Sequence, residues 1–220
     1  YDMYRHDYSR TNTAAVSGST SLYLSTYFVM NSDFRVYICL QNGTSPDNPT
    51  GQPSLDEPTF TDLEPRAAGT SGDGYIWKYL YTITPSDVAK FESTQYMPVP
   101  ADWTTSADNA AVRDNAVDGS IKIATITNRG VGLGTANSVY TEVPIRGDGT
   151  GAECTIVVDG NQEVSSVTVS NQGSGYTYGN IDIVAGGVPT GTTRPTFDVI
   201  ISPQGGHGAD IYRELGAYNV

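Results

Sequence analysis

The two histidines, His6 and His207, are the first residues to consider for acid–base or nucleophilic chemistry. A catalytic triad needs a histidine beside a nucleophile and a carboxylate. The stretch from His6 to Ser9 holds all three residue types, but neighbouring residues of a strand project to opposite sides. His207 lies in a glycine-rich run that could hold an anion or a metal. We predict a surface or capping role for both histidines rather than catalysis.

The chain has 24 acidic residues, so paired carboxylates occur whatever its function. Glycoside hydrolysis needs two carboxyl groups about 5–9 Å apart, a spacing that abundance alone satisfies. The run 147–151 lacks the acidic ladder of a calcium loop and the Lys-Ser/Thr of a phosphate loop. The tripeptide Arg146-Gly147-Asp148 has the letters of a cell-adhesion motif, but it falls where a hairpin turn is expected. The sequence therefore predicts no catalytic residue, no cofactor and no metal.

The two cysteines, Cys39 and Cys154, lie in apolar, strand-like runs. Such a setting favours buried free thiols, because an unpaired cysteine behaves as a small apolar residue. A disulfide between them is the alternative.

Four aromatic residues alternate along the segment 72–83: Tyr75, Trp77, Tyr79 and Tyr81. Because side chains of a strand alternate between its faces, the spacing predicts four rings on one side, spanning about 20 Å. Three interpretations remain open. The rings form a sheet core, a protein–protein interface or a sugar-stacking platform. We take the four residues as interface candidates.

The composition favours an all-β protein with many turns. Charged residues make up only 16% of the chain, whereas Gly, Pro and Tyr number 24, 12 and 15. The net charge of −12, with no cluster of basic residues, argues against binding to nucleic acid or to an anionic membrane. The chain contains no run of 18 apolar residues, so the sequence predicts no membrane-spanning helix.

Residues 1–100 read as one β-rich domain with long loops, which we expect to be sandwich-like. Its predicted elements are strands at 21–30, 34–40 and 72–83, a helix at 84–91 capped by Thr84 or Ser86, and an edge strand at 95–100. Five prolines between Gln41 and Gly74 prevent regular strand pairing, so this stretch predicts a long loop suited to interactions. Residues 101–119 are polar, with one possible helical turn, and predict a connector.

Residues 120–204 contain an internal repeat. Residues 123–132 align with 166–175, and 154–158 with 197–201, both at an offset of 43, while 142–145 align with 180–183 at an offset of 38. Each copy reads strand, Gly-rich turn, strand, Gly-rich turn, strand. Two tandem copies predict a small β-sandwich or barrel, because three short strands cannot bury a face alone. Residues 205–220 are expected to return to the first domain, and the last few to begin another strand of a longer polypeptide.

The segment 72–83, followed by 95–100, resembles the central part of the baseplate wedge subunit that gene eight encodes in T-even-like contractile-tailed phages. The strand at 34–40 and the proline-rich acidic loop fall in the same order as in that family, and residues 202–210 resemble wedge proteins of its marine members. The repeat at 120–204 departs from the family and is expected to be an inserted module. The resemblance therefore covers about half of the chain.

This resemblance implies a non-enzymatic structural protein of the virion, located in the tail baseplate. It implies dimerisation and contacts with other wedge proteins, and we expect the Gln41–Gly74 loop and the aromatic strand to make or support those contacts. One rival is a glycan-binding tail-fibre or adhesin module, in which Tyr75, Trp77, Tyr176 or Tyr178 stacks on sugar. The other is a polysaccharide hydrolase.

Overall fold

The computed structural model describes residues 1–12, 19, 24–93 and 96–216. It is 36% strand and 9% helix, and the predicted all-β class is confirmed. The strands of the described residues are β1 Phe28–Met30, β2 Arg35–Asn42, β3 Arg66–Ala67, β4 Tyr75–Thr82, β5 Ile121–Asn128, β6 Val139–Gly147, β7 Thr150–Val158, β8 Val164–Ser174, β9 Gly179–Ile181 and β10 Thr196–Ile201. The helices are α1 Pro85–Phe91, α2 Ala110–Asp114 and α3 Ile211–Leu215.

The chain divides into two compact units. Unit 1 contains Tyr1–Thr44, Thr50–Val117 and the chain from Gly205 onward, and unit 2 contains Ser45–Pro49 and Asp118–Gln204. A short piece of the proline-rich loop thus belongs to unit 2, where the Asp47 carboxylate accepts a 2.6 Å hydrogen bond from the Arg129 guanidinium.

Unit 1 is built on an antiparallel sheet with strand order β1-β2-β4-β3. β2 and β4 are rich in β-branched and aromatic residues, which suit a pleated, buried surface. The neighbours Trp77 and Lys78 are both buried, although they point to opposite faces of β4. Both faces of the sheet are therefore covered.

A bulge in β4 separates the aromatic residues into two groups. Tyr79 pairs with Tyr37 whereas Tyr81 pairs with Val36, so Leu80 is the extra residue on β4. Paired residues share a face and consecutive residues do not, so Tyr79 and Tyr81 lie on opposite faces. The prediction of four rings on one side is wrong for Tyr81, because the bulge interrupts the two-residue alternation.

Residues 101–117 are part of unit 1 rather than a connector alone. Trp103 is fully buried, and its indole N–H donates to the carbonyls of Gly208 and Ala209 at 3.1 and 3.2 Å. The Trp103 ring meets the edge of Tyr81 with centroids 6.1 Å apart. The polar composition of this stretch concealed one large core residue.

The predicted start of α1 is confirmed. Thr84 is its N-cap and accepts a hydrogen bond from the Asp87 amide, and Pro85 occupies the first turn.

The strand expected at 21–30 is confirmed only for Phe28–Met30, and residues 21–23 lie outside the described part. No strand forms at 96–100, and Gln95 also lies outside. Gly216, with φ 70°, ends α3, and the further strand expected at 217–220 lies outside the described residues.

Unit 2 contains a two-stranded sheet, β10-β5, and a four-stranded sheet, β8-β7-β6-β9, both antiparallel. Its core consists mainly of branched aliphatic residues from these strands, together with Leu133, Cys154 and Tyr176. The Tyr176 hydroxyl fixes the β6–β7 hairpin, because it donates to the Ile145 carbonyl at 3.1 Å and accepts from the Ala152 amide at 3.2 Å.

Both cysteines are free and buried, which confirms the prediction of buried thiols and excludes the disulfide alternative. Burial raises the pKa of the Cys154 thiol to about 12, and it raises the pKa of Cys39 as well. Both thiols are therefore neutral core groups at physiological pH.

Candidate functional site

The proline-rich loop of unit 1 is fixed to the sheet by side-chain hydrogen bonds to its carbonyl groups. The Tyr37 hydroxyl donates to the Phe60 carbonyl at 2.7 Å, and the Tyr75 hydroxyl donates to the Gln52 carbonyl at 2.8 Å. Burial raises the pKa of both tyrosines to about 12, so both remain neutral donors. A loop that pairs as a strand only at Arg66–Ala67 thus gains further order from tyrosines of β2 and β4.

Lys78 holds the same loop from the opposite face of β4. Its side chain is 1% exposed, and its ammonium group donates a 2.6 Å hydrogen bond to the Leu63 carbonyl. Leu63 also accepts a hydrogen bond from the Asn115 amide at 3.3 Å. A lysine is rarely buried unless it has a partner. Sequence reasoning missed this residue, although a lone lysine between aromatic residues of a buried strand was a signal for such a role.

The four interface candidates are mostly core residues of unit 1. Tyr75, Trp77 and Tyr81 are buried, and Tyr79 is half-buried. Tyr75 and Trp77 share the face of β4 from which the Tyr75 hydroxyl reaches the loop. The Tyr81 hydroxyl donates to the Pro98 carbonyl at 3.0 Å on the other face. Three of the four rings therefore pack in the core instead of forming an exposed surface.

A cleft of about 320 Å³ opens where this loop passes the end of β1. Trp77 forms part of its wall, Pro58 contributes a buried apolar surface, and Leu55 projects at its edge with 69% exposure. The remaining lining comes from Tyr1 and from residues 29–32, 54, 56 and 57. The cleft thus combines an apolar wall with polar and acidic groups, as ligand-binding clefts commonly do.

Two carboxylates at this cleft are held in place by hydrogen bonds from backbone amides. Asp56 accepts from the Ser71 amide at 2.8 Å, and Glu57 accepts from the amide and hydroxyl of Ser32 at 2.8 and 3.0 Å. Hydrogen bonds from the side chain and amide of Ser71 lower the pKa of Asp56, and those from the amide and hydroxyl of Ser32 lower the pKa of Glu57, so both carboxyl groups are ionised at neutral pH. Neither has a basic partner among the described residues.

The indole N–H of Trp77 is buried and has no hydrogen-bond acceptor among the described residues. Leaving such a donor unsatisfied costs about 1–3 kcal/mol. Trp103, the other tryptophan, has its indole N–H fully used by two carbonyls. Of the two tryptophans, Trp77 therefore keeps a buried donor without an acceptor among the described residues.

His207 is buried against Glu214, with its Nδ1 2.5 Å from the carboxylate and side-chain exposures of 5% and 3%. The second oxygen of Glu214 accepts from the Gly208 amide at 2.7 Å, and the Tyr4 ring packs on the imidazole with centroids 4.7 Å apart. The surface role predicted for His207 is therefore wrong, whereas His6 is exposed as predicted. The buried pair joins the glycine-rich run at 205–208 to α3.

A second cleft, of about 310 Å³, lies at the β6–β7 hairpin of unit 2. The adhesion-like tripeptide is at this hairpin, but its Asp148 is engaged within the chain. The carboxylate accepts from the amides of Thr177 and Tyr178 at 2.9 and 3.2 Å and from the Thr177 hydroxyl. The Thr177 hydrogen bonds lower the pKa of Asp148 to about 2. Its carboxylate therefore secures the chain after β8 instead of facing a receptor.

In the described part of the chain, no three His, Cys, Asp or Glu residues group in a way that suits a metal ion. No helix among the same residues is long and apolar enough to cross a bilayer.

Comparisons with family models, with curated proteins and with solved structures found no match to this chain.

Proposed function

We propose that this chain is a non-enzymatic structural protein of a phage virion, a subunit of the contractile-tail baseplate wedge that acts through protein–protein contacts. Its partners are a second copy of itself and other wedge proteins. The observation that carries the proposal is the fixed, proline-rich loop of unit 1. Exposed loops held on a rigid sheet are a common way to present a binding surface, and here Tyr37, Tyr75 and Lys78 hold the loop.

The rival glycan-binding function has less support. Sugar stacking needs an exposed ring face, and Tyr75, Trp77 and Tyr176 are all buried. Only Tyr178 of the four stacking candidates is exposed, at 59%. A single exposed ring does not form a platform.

The finer architecture belongs to the same proposal. We propose that unit 1 is a sandwich-like domain with long loops and that unit 2 is an inserted pair of tandem repeats. Equivalent turns support the repeat. The Asn128 side chain accepts from the Gly130 amide at 2.8 Å, and the Asn171 side chain accepts from the Gly173 amide at 3.1 Å. The two turns are 43 residues apart, the offset at which the two sequence copies align.

Light scattering on the purified chain, over a range of protein concentrations, tests the proposal. We expect a dimer of twice the 23.5 kDa chain mass. The double variant Tyr37→Phe/Tyr75→Phe removes two loop hydrogen bonds but keeps both rings, and it should weaken the dimer while the circular dichroism spectrum stays unchanged.

The matched control is Tyr79→Phe, whose hydroxyl contacts Thr82 rather than the loop and whose loss should leave the mass unchanged. A monomer at every concentration contradicts the homodimer. Turnover of a defined compound, abolished by one side-chain change, contradicts a non-enzymatic role.

A further inference from the structure

Two features coincide in the unit 1 cleft. Its lining includes the acidic residues Asp56 and Glu57, which have no basic partner in the described part of the chain. Apolar surface in the same lining comes from Trp77, Pro58 and Leu55. A ligand that matches both features has an apolar stem and a positive charge.

We propose that this cleft receives a basic side chain, arginine or lysine, from an extended segment of a different protein. The inference rests on the proposed function in protein contacts and specifies the chemistry of one partner. The aliphatic stem of the basic residue covers Leu55 and Pro58, and its cationic head meets the two carboxylates. Long basic side chains commonly pack their stems on apolar surface while the charge stays at the rim.

The carboxylates favour a cation because they are oriented before any ligand arrives. Backbone amides of Ser71 and Ser32 hold Asp56 and Glu57, so little side-chain freedom is lost when a cation binds. Charge-assisted hydrogen bonds to two fixed carboxylates are stronger than bonds between neutral groups.

The net charge decides against a second copy as the occupant of the cleft. Each chain carries a formal charge of −12, so two copies repel each other over long distances. A basic segment of another protein is attracted instead. The proposed homodimer then uses surface outside this cleft.

The indole N–H signals of the ¹⁵N-labelled full chain provide a direct test by nuclear magnetic resonance. The chain has two tryptophans, and Trp103, bound to two carbonyls, serves as the internal control. The probe is the capped tripeptide acetyl-Gly-Arg-Gly-amide, and the comparison peptide replaces arginine with citrulline, which has the same shape without the charge. We expect the arginine peptide to shift the Trp77 signal saturably, while the Trp103 signal stays in place and the citrulline peptide has a much smaller effect.

Variants of the two carboxylates test whether they provide the negative charge that binds the arginine peptide. Glu57→Gln and Asp56→Asn keep an oxygen for the backbone amides, and each should weaken binding of the arginine peptide about threefold to fivefold, as expected for partly exposed ion pairs. Asp108→Asn removes an exposed charge of unit 1 that does not line the cleft, and it should leave binding unchanged.

Equal shifts with both peptides, no shift of the Trp77 signal or equal effects of all three variants overturn the inference. Light scattering separates this result from the wider proposal. A monomeric chain that binds the arginine peptide contradicts the homodimer alone, and a dimer that ignores the peptide contradicts the basic partner alone.

Discussion

Tyr75 and Trp77 stack on one face of β4, with ring centroids 5.5 Å apart and 15° between the ring planes. Tyr75 carries the loop hydrogen bond to Gln52, and Trp77 lines the adjacent cleft. The pair therefore connects the core of unit 1 to the surface on which both proposals depend. Loss of either ring is expected to affect stability and loop position together.

Trp77→Ala should lower the free energy of unfolding by about 3–5 kcal/mol, since truncation of a buried aromatic residue removes apolar contacts and leaves a cavity. Chemical denaturation monitored by circular dichroism measures the loss. Tyr96→Ala is the control, because Tyr96 is a 74% exposed aromatic of the same unit and its removal should change stability by less than about 0.5 kcal/mol. If Trp77→Ala leaves both folding and self-association unchanged, Trp77 does not support an interface.

Gly149→Ala should destabilise unit 2 by about 1–3 kcal/mol, the usual cost of overpacking a filled site. An added Cβ would lie 2.6 Å from the Ser174 carbonyl oxygen and would overlap the Tyr176 ring. Thermal unfolding of the full chain measures the effect. Gly160→Ala is the matched control, because the added carbon would find its nearest atom at 3.9 Å and stability should barely change. Equal melting temperatures for the two variants would show that the hairpin tolerates a side chain at Gly149.

Asp148→Asn should remove a pH-dependent contribution to the stability of unit 2. The folded chain lowers the pKa of Asp148 from 3.8 to about 2, so the carboxylate stabilises the fold above pH 3.8, and this stabilisation disappears as the pH falls towards 2. The wild type should exceed the variant in melting temperature at pH 6, and the gap should narrow between pH 4 and pH 2. The carboxyl ¹³C shift of Asp148 reports the titration directly. A midpoint near 3.8 would mean that the Thr177 hydrogen bonds do not hold this carboxylate in solution.

The local sequence determined the elements whose signals are short-range. Alternating aromatic and β-branched residues place β2 and β4, and Thr84 followed by Pro85 fixes the start of α1. The proline-rich stretch forms no strand longer than Arg66–Ala67, because proline cannot donate to a ladder. The apolar runs around Cys39 and Cys154 likewise predict their burial correctly.

The tertiary structure alone decided which side chains meet. Trp103 bonds to Gly208 across 105 residues, and the Tyr75 hydroxyl reaches Gln52 across 23, contacts that no local pattern encodes. The bulge at Leu80 is visible only in the pairing of β2 with β4. It places Tyr81 on the face opposite to the one that simple alternation predicts. Lys78 and His207 are residue types that usually lie at the surface. Lys78 is buried because the loop brings it the Leu63 carbonyl, and His207 is buried because α3 brings it the Glu214 carboxylate. Residue types thus determined β2, β4 and the all-β class, whereas the cleft exists only because long-range pairing brings Trp77 and the loop together.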